Sequence, residues 1–254
     1  MALQALVYQS DIVIKWPAGH APRPEYTPRG DVVEFSRKSR ERLRFVATNT
    51  EANFNTLITL TYPFDFPSDG QIVKGHLHKF LGWLCHEYPG QYLWFIEFQR
   101  RGAPHFHVLY RPLLATFVPF NKVARMWYTI VGSGDKRHLH AGTRVERIRC
   151  TNGAAHYAVK YAQKMTQKRV PVGYRHVGRF WACSRCSLPH PKALCVFEGI
   201  DDLKQALASW RYLYVLQKPY IKVLYGATKY LDPMLAAILP FKYPLILTVP
   251  VSGG

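Results

Sequence analysis

The chain has 254 residues, 48% hydrophobic and 20% charged. That is enough to bury a sizeable core, and the composition excludes a disordered polymer. Lys and Arg number 34 against 16 Asp and Glu, a net charge of +18, which points to a polyanion partner, either nucleic acid or an acidic membrane surface. A membrane role is disfavoured. The basic residues are not gathered on one amphipathic helix. The apolar tail, residues 231–251, is interrupted by Asp232, Lys242, Pro233, Pro240, Pro244 and Pro250, whereas a span needs about 20 predominantly apolar helical residues. The amino terminus lacks the basic start and unbroken apolar core of a secretory signal. With an odd number of cysteines, five, the expectation is reduced thiols in a cytosol.

Residues 1–35 carry Pro17, Pro22, Pro24 and Pro28 and read as loosely structured. Residues 36–44 follow as a basic run with Arg37, Lys38, Arg40, Arg42 and Arg44. It is either a solvated helix face or a surface for phosphates. Together, residues 1–45 are expected to be an irregular basic segment, residues 46–200 the functional domain and residues 201–254 a C-terminal extension. Residues 55–62, Asn-Thr-Leu-Ile-Thr-Leu-Thr-Tyr, are β-branched and end at Pro63, so they form a strand with Thr59 and Thr61 on one face. Residues 70–88 have helical spacing through Ile72, Leu77, Phe80, Leu81 and Leu84 and stop at Pro89-Gly90.

Residues 94–111 read as a hairpin. Residues 94–99 are aromatic and β-branched, residues 101–104 (Arg-Gly-Ala-Pro) punctuate, and a second strand carries His105-Phe106-His107. Alternation puts both imidazoles on one strand face and Phe106 on the other. Glu97, on the preceding strand, can lie opposite them. Two imidazoles and a carboxylate suit an open site for a divalent ion, Mg2+ or Mn2+. Gln99 shares the face of Glu97, so the identity of the third donor is open. The chain contains two other His-x-His pairs. His76 and His78 fall in the helix just described, where residues two apart face different ways. His138 and His140 fall among Gly132, Gly134 and Gly142 and read as loop. Residues 119–131 form another helix with an apolar stripe of Val123, Met126, Trp127 and Ile130, and residues 142–150 a half-exposed strand.

Residues 154–166 are helix formers without a breaker. Tyr157 and Tyr161 lie one turn apart on one face, and Lys160 and Lys164 likewise, so the unit Tyr-x-x-Lys occurs twice. The plain reading is an amphipathic helix with packed tyrosines and solvated lysines. The sharper reading is nucleophilic. A phenol titrates near 10 and needs a cation or metal beside it to attack phosphorus. Lysine one turn away supplies such a charge and offsets that of a pentavalent phosphate.

Residues 56–63, 104–109 and 157–164 resemble, in order, the three motifs of the HUH endonucleases. More narrowly, they are similar to the rolling-circle replication initiators of single-stranded DNA phages and small plasmids, of the two-tyrosine type. The resemblance covers roughly residues 50–185 and includes Gly178-Arg179-Phe180-Trp181. It implies an α+β fold, ferredoxin- or RRM-like, with a central antiparallel sheet flanked by helices and the histidines on a middle strand. It implies metal ligands at His105, His107 and Glu97, nucleophiles at Tyr157 and Tyr161, and assistance from Lys160 and Lys164. The implied activity is metal-dependent nicking and rejoining of single-stranded origin DNA through a covalent 5'-phosphotyrosine. The implied location is the cytoplasm of a bacterial or archaeal host. The sequence has no Gly-x-x-x-x-Gly-Lys-Ser/Thr phosphate loop, so a helicase is expected to act in trans. The alternatives are a relaxase or transposase of the same superfamily, or a non-catalytic basic DNA-binding protein. Cys183, Cys186, His190 and Cys195 approach the spacing of a structural zinc site. The gap after the cysteine pair is one residue short of the common knuckle, so reduced thiols are the favoured reading.

Overall fold

The computed structural model describes residues 3–15, 32–149, 157, 158, 160, 169–197, 215–218 and 221–224. In chain order the strands are β1 (Leu3–Val7), β2 (Ile12–Lys15), β3 (Thr56–Thr61), β4 (Gly90–Phe98), β5 (Pro104–Pro112), β6 (Thr143–Arg147), β7 (Trp181–Cys183), β8 (Ala193–Phe197), β9 (Val215–Lys218) and β10 (Ile221–Leu224). The helices are α1 (Arg37–Asn49), α2 (Gly70–Glu87), α3 (Phe120–Val131) and α4 (Lys136–Ala141). Among the described residues no helix is long and apolar enough to cross a membrane.

The chain divides into two compact units. One comprises residues 1–27, 48–51 and 189–254, the other residues 28–47 and 52–188. The first holds a five-stranded antiparallel sheet in the order β8-β1-β2-β10-β9. Its β1–β2 turn is pinned by Asn49, whose Oδ1 accepts from the backbone N–H of Ser10 and Asp11, at 2.9 Å each, while its Nδ2 donates to Asp11 Oδ2 at 2.8 Å. The reading of residues 1–35 as loosely structured is corrected here, because Leu3–Val7 and Ile12–Lys15 are strands. The partners of β1 and β2 include β8 and β10, nearly 200 residues away, and such pairing leaves no local signature.

The second unit carries the other antiparallel sheet, in the order β6-β3-β5-β4-β7. β5 is antiparallel to both β3 and β4, so those two run parallel with β5 between them. β6 is likewise parallel to β5 across β3. The succession β3-α2-β4-β5-α3-β6 is therefore two interlocked split βαβ units, the ferredoxin-like arrangement. Right-handed crossovers place α2 and α3 on one face of the sheet. That face is apolar: Leu60, Phe106, Val108 and Tyr110 are fully buried. Trp127 of α3 stands edge-on to Phe80 of α2 and Tyr62. α2 starts at an Asp69 cap whose carboxylate accepts from Gln71 N–H at 2.8 Å. Where β4 begins, a Cβ on Gly90 would meet Arg111 O at 2.5 Å, so the strand junction admits only glycine.

Candidate functional site

Strand register builds the site. Opposed residues of antiparallel strands share a face. Thr59 faces His107 and Thr61 faces His105 across β3–β5. Phe95 faces His107 and Glu97 faces His105 across β4–β5. The face turned away from α2 and α3 thus carries a polar group centred on β5, the middle strand of the sheet. His105 is half-buried, whereas His107 and Glu97 are buried.

Ring contacts hold the imidazoles. Phe95 stacks on His107 with centroids 5.0 Å apart, and the His105 and His107 rings meet edge to face at 4.6 Å. Thr61 Oγ1 lies 2.9 Å from His105 Nδ1, and Thr59 Oγ1 lies 3.5 Å from His107 Nδ1. On the far side of the second ring, His107 Nε2 lies 3.4 Å from Glu97 Oε2. A hydroxyl at Nδ1 fixes a ring's orientation and leaves its chemistry to Nε2, as in the outer shell of metal sites.

Gln99 is drawn into a different role. Arg101, at the hairpin tip, donates from Nε to Gln99 Oε1 at 3.0 Å. Its guanidinium also reaches the carbonyls of Tyr62 and Pro63 at 2.7 Å each and that of Phe64 at 3.1 Å. With its oxygen engaged, Gln99 turns Nε2 toward His105 Nδ1, at 3.5 Å. Arg101 therefore ties the β4–β5 tip to the exit of β3 and sets the amide beside the first histidine. Sequence reading missed this chain of contacts. Its only trace was an arginine in a turn, next to a glycine whose φ of 84° is left-handed.

The donor set of two imidazoles and a carboxylate fits a divalent ion by type. The pair His107–Glu97 fits by spacing too, since adjacent ligands with bonds of about 2.1 Å stand roughly 3 Å apart. Among the described residues, however, no three His, Cys, Asp or Glu side chains already converge as a metal's ligands.

Tyr157, Ala158 and Lys160 are helical. Ala158 is fully buried, Tyr157 is partly buried against the core of the sheet, and Lys160 is exposed. Tyr161 and Lys164 lie outside the described residues. The other His-x-His pairs have structural roles. His76 is half-buried, 3.0 Å from Tyr62 Oη, while His78 is exposed. His138 and His140 lie not in a loop but in α4, a six-residue helix capped by Asp135, too short for periodicity to reveal. Buried His138 bridges Ser133 Oγ at 2.9 Å and Thr61 O at 2.8 Å. Trp127 Nε1 donates to the same Thr61 carbonyl at 2.8 Å, so the strand end behind His105 is held twice. Of the cysteines considered for zinc, Cys183 and Cys186 carry free thiols. Burial pushes the Cys183 thiol up. His190 is exposed and, with Cys195, belongs to the first unit.

Residues 55–166, just under half of the chain, match the family model of the ORF2-type replication-associated proteins. No curated protein matches the chain, and no solved structure does. The matched stretch contains Thr59, Thr61, Glu97, His105, His107 and both Tyr-x-x-Lys units. Over that stretch the chain is similar to replication-associated proteins, which supports a role in replication initiation with DNA as a partner.

Proposed function

We propose that this protein nicks and rejoins single-stranded origin DNA by tyrosine transesterification, starting and terminating rolling-circle replication. The observation that carries the proposal is the placing of His105, His107 and Glu97 on one face of the central strands, backed by Thr59 and Thr61, within the stretch similar to replication-associated proteins. His105, His107 and Glu97 would hold a Mg2+ or Mn2+ ion, which would supply charge to a nonbridging phosphate oxygen and polarise the phosphorus. Thr59 and Thr61 orient the rings, and the arginine-held amide of Gln99 serves its neighbour rather than the ion.

The Tyr157 hydroxyl oxygen forms a bond to phosphorus as the bond from phosphorus to the 3' oxygen of the preceding nucleotide breaks. The phenol's proton passes, net, to the departing 3' oxygen. The product is a 5'-phosphotyrosine and a free 3' hydroxyl, and attack by a 3' hydroxyl on the phosphotyrosine reverses the step and seals the strand. Lys160, on the same helix, offsets charge on the phosphate. Tyr161 with Lys164 provides a second nucleophile of the same kind, so that one tyrosine opens the origin and the other acts after a round of synthesis. A host or replicon helicase unwinds in trans, and the site of action is the cytoplasm of the replicon's host.

A second reading, a non-catalytic DNA-binding module, is favoured by the fact that no three ligand side chains already converge among the described residues. One assay separates the two. Labelled single-stranded origin DNA with Mn2+ or Mg2+ should yield a covalent adduct that the combined Tyr157→Phe, Tyr161→Phe change abolishes. A normal adduct from that double variant refutes the nucleophiles, and binding without any cleavage by wild type establishes the module instead.

A further inference from the structure

Lys74 stands apart from the chemistry on the histidine face. It rises from α2 over the opposite face of the sheet, with Nζ 4.5 Å from the centroid of Trp94 and 5.6 Å from that of Phe106. Phe106 separates the two histidines in sequence, so Lys74 sits behind the site with the sheet between. Among the described residues its protein acceptor is Arg179 O, at 2.6 Å, and no carboxylate pairs with it. An ammonium has three donors and is strongly penalised for lost water when no acid compensates it. Burial accordingly draws this lysine down to about 7.

Lys74 lines a cavity of about 610 Å³, a volume typical of ligand sites. Gln71, Arg175 and His176 line it as well, with apolar walls that include Val33 and Val170, and its lining includes no carboxylate among the described residues. The neighbouring acid, Asp69, is committed to the cap of α2 and to His176 Nδ1 at 3.3 Å. The wall carrying Arg175 and His176 is built in. Gly70 N–H donates to Arg175 O at 2.8 Å and Arg175 N–H to Ser68 O at 2.9 Å. A Cβ on Gly70 would fall 2.2 Å from His176 O.

We propose that this cavity is a second DNA contact, in which Lys74 and Arg175 bind a phosphodiester of the single strand on the face of the sheet opposite the histidines. The proposal rests on the DNA-processing reading above but not on its metal or its tyrosines. An anion entering here meets donors already desolvated and aimed, and it supplies the countercharge that Lys74 lacks.

The test is the salt dependence of binding by the full chain to a dye-labelled single-stranded oligonucleotide, in EDTA so that no strand is cut. Each phosphate contact on a single strand contributes about 0.7 to the slope of log K against log salt. Lys74→Met and Arg175→Gln should each lower the slope by about that amount, with circular dichroism confirming the fold. Arg175 is exposed, so its variant stands if Lys74→Met fails to fold. Unchanged slopes in a folded variant overturn the proposal while leaving the nicking reading intact. If wild type binds no single-stranded DNA at all, both fall together. In a parallel arm, amine labelling of Lys74 should be blocked by the oligonucleotide. Protection by inorganic phosphate but not by oligonucleotide would mean that the site takes a free phosphate compound, and would overturn the DNA assignment.

Discussion

The two faces of the second unit's sheet are made by alternate residues of the same strands, yet they obey different rules. On one, Phe106, Val108 and Tyr110 disappear under α2 and α3. On the other, His105 and His107 meet threonines, a carboxylate and an amide. A single residue step along β5 therefore separates what holds the fold from what the fold presents. It follows that substitutions one position apart should fail in different ways, through stability on one face and through chemistry on the other.

The widest separation is expected at Phe106. Phe106→Ala removes a fully buried ring and should cost about 3–5 kcal/mol of stability, read by thermal melting. Next come the histidines. His105→Ala and His107→Gln should leave the melt far less changed while lowering nicking by roughly 100-fold or more, as loss of a catalytic ligand does. Chelation with EDTA should give the same loss in wild type. A His105→Ala variant as unstable as Phe106→Ala would erase the distinction between the faces. Thr61→Val removes the hydroxyl at His105 Nδ1 and should weaken Mn2+ affinity by about 10-fold, and Thr61→Ser should restore it. Equal Mn2+ titrations for all three proteins would reduce the threonines to packing.

Lys74 sharpens the comparison from the apolar side. Its folded value of about 7 lies below the ordinary 10.5, so between those values the unfolded chain binds the extra proton. Stability contributed at this position should rise with pH from about 7 toward 10, by at most about 1.4 kcal/mol per pH unit. The measure is the difference between wild type and Lys74→Met in denaturant midpoints across that range; a flat difference contradicts a desolvated ammonium. The smallest effect is expected at Arg101. Arg101→Ala frees three carbonyls at an exposed hairpin tip and should cost about 1–2 kcal/mol, with a few-fold loss of nicking through Gln99 and His105.

The second sheet was largely legible in the sequence because its signals are local. The β-branched run of β3, the Pro-Gly stop after α2 and the alternation in β5 each predict their element, and the sheet is α+β and antiparallel as expected. Comparing the three His-x-His pairs also separated them correctly on strand context, although α4 escaped notice as a helix of one and a half turns. What escaped was relational. β1 and β2 are strands because of distant partners. Arg101 matters because a hairpin folds it onto the exit of another strand. The threonines were seen to share a face, but only register shows each one opposite a particular imidazole.

The interlocked topology also determines when the site comes into being. β5 is inserted between β3 and β4, strands joined by the intervening α2, so neither histidine meets its threonine until the central strand has docked on both sides. The pairings Thr61–His105 and Glu97–His105 span very different sequence separations, and the longer kind forms late in folding. A nascent or partly opened chain would therefore carry every site residue and still be inert. Amide protons of β5 should exchange only with global unfolding, which makes the integrity of this one strand the condition for cutting DNA.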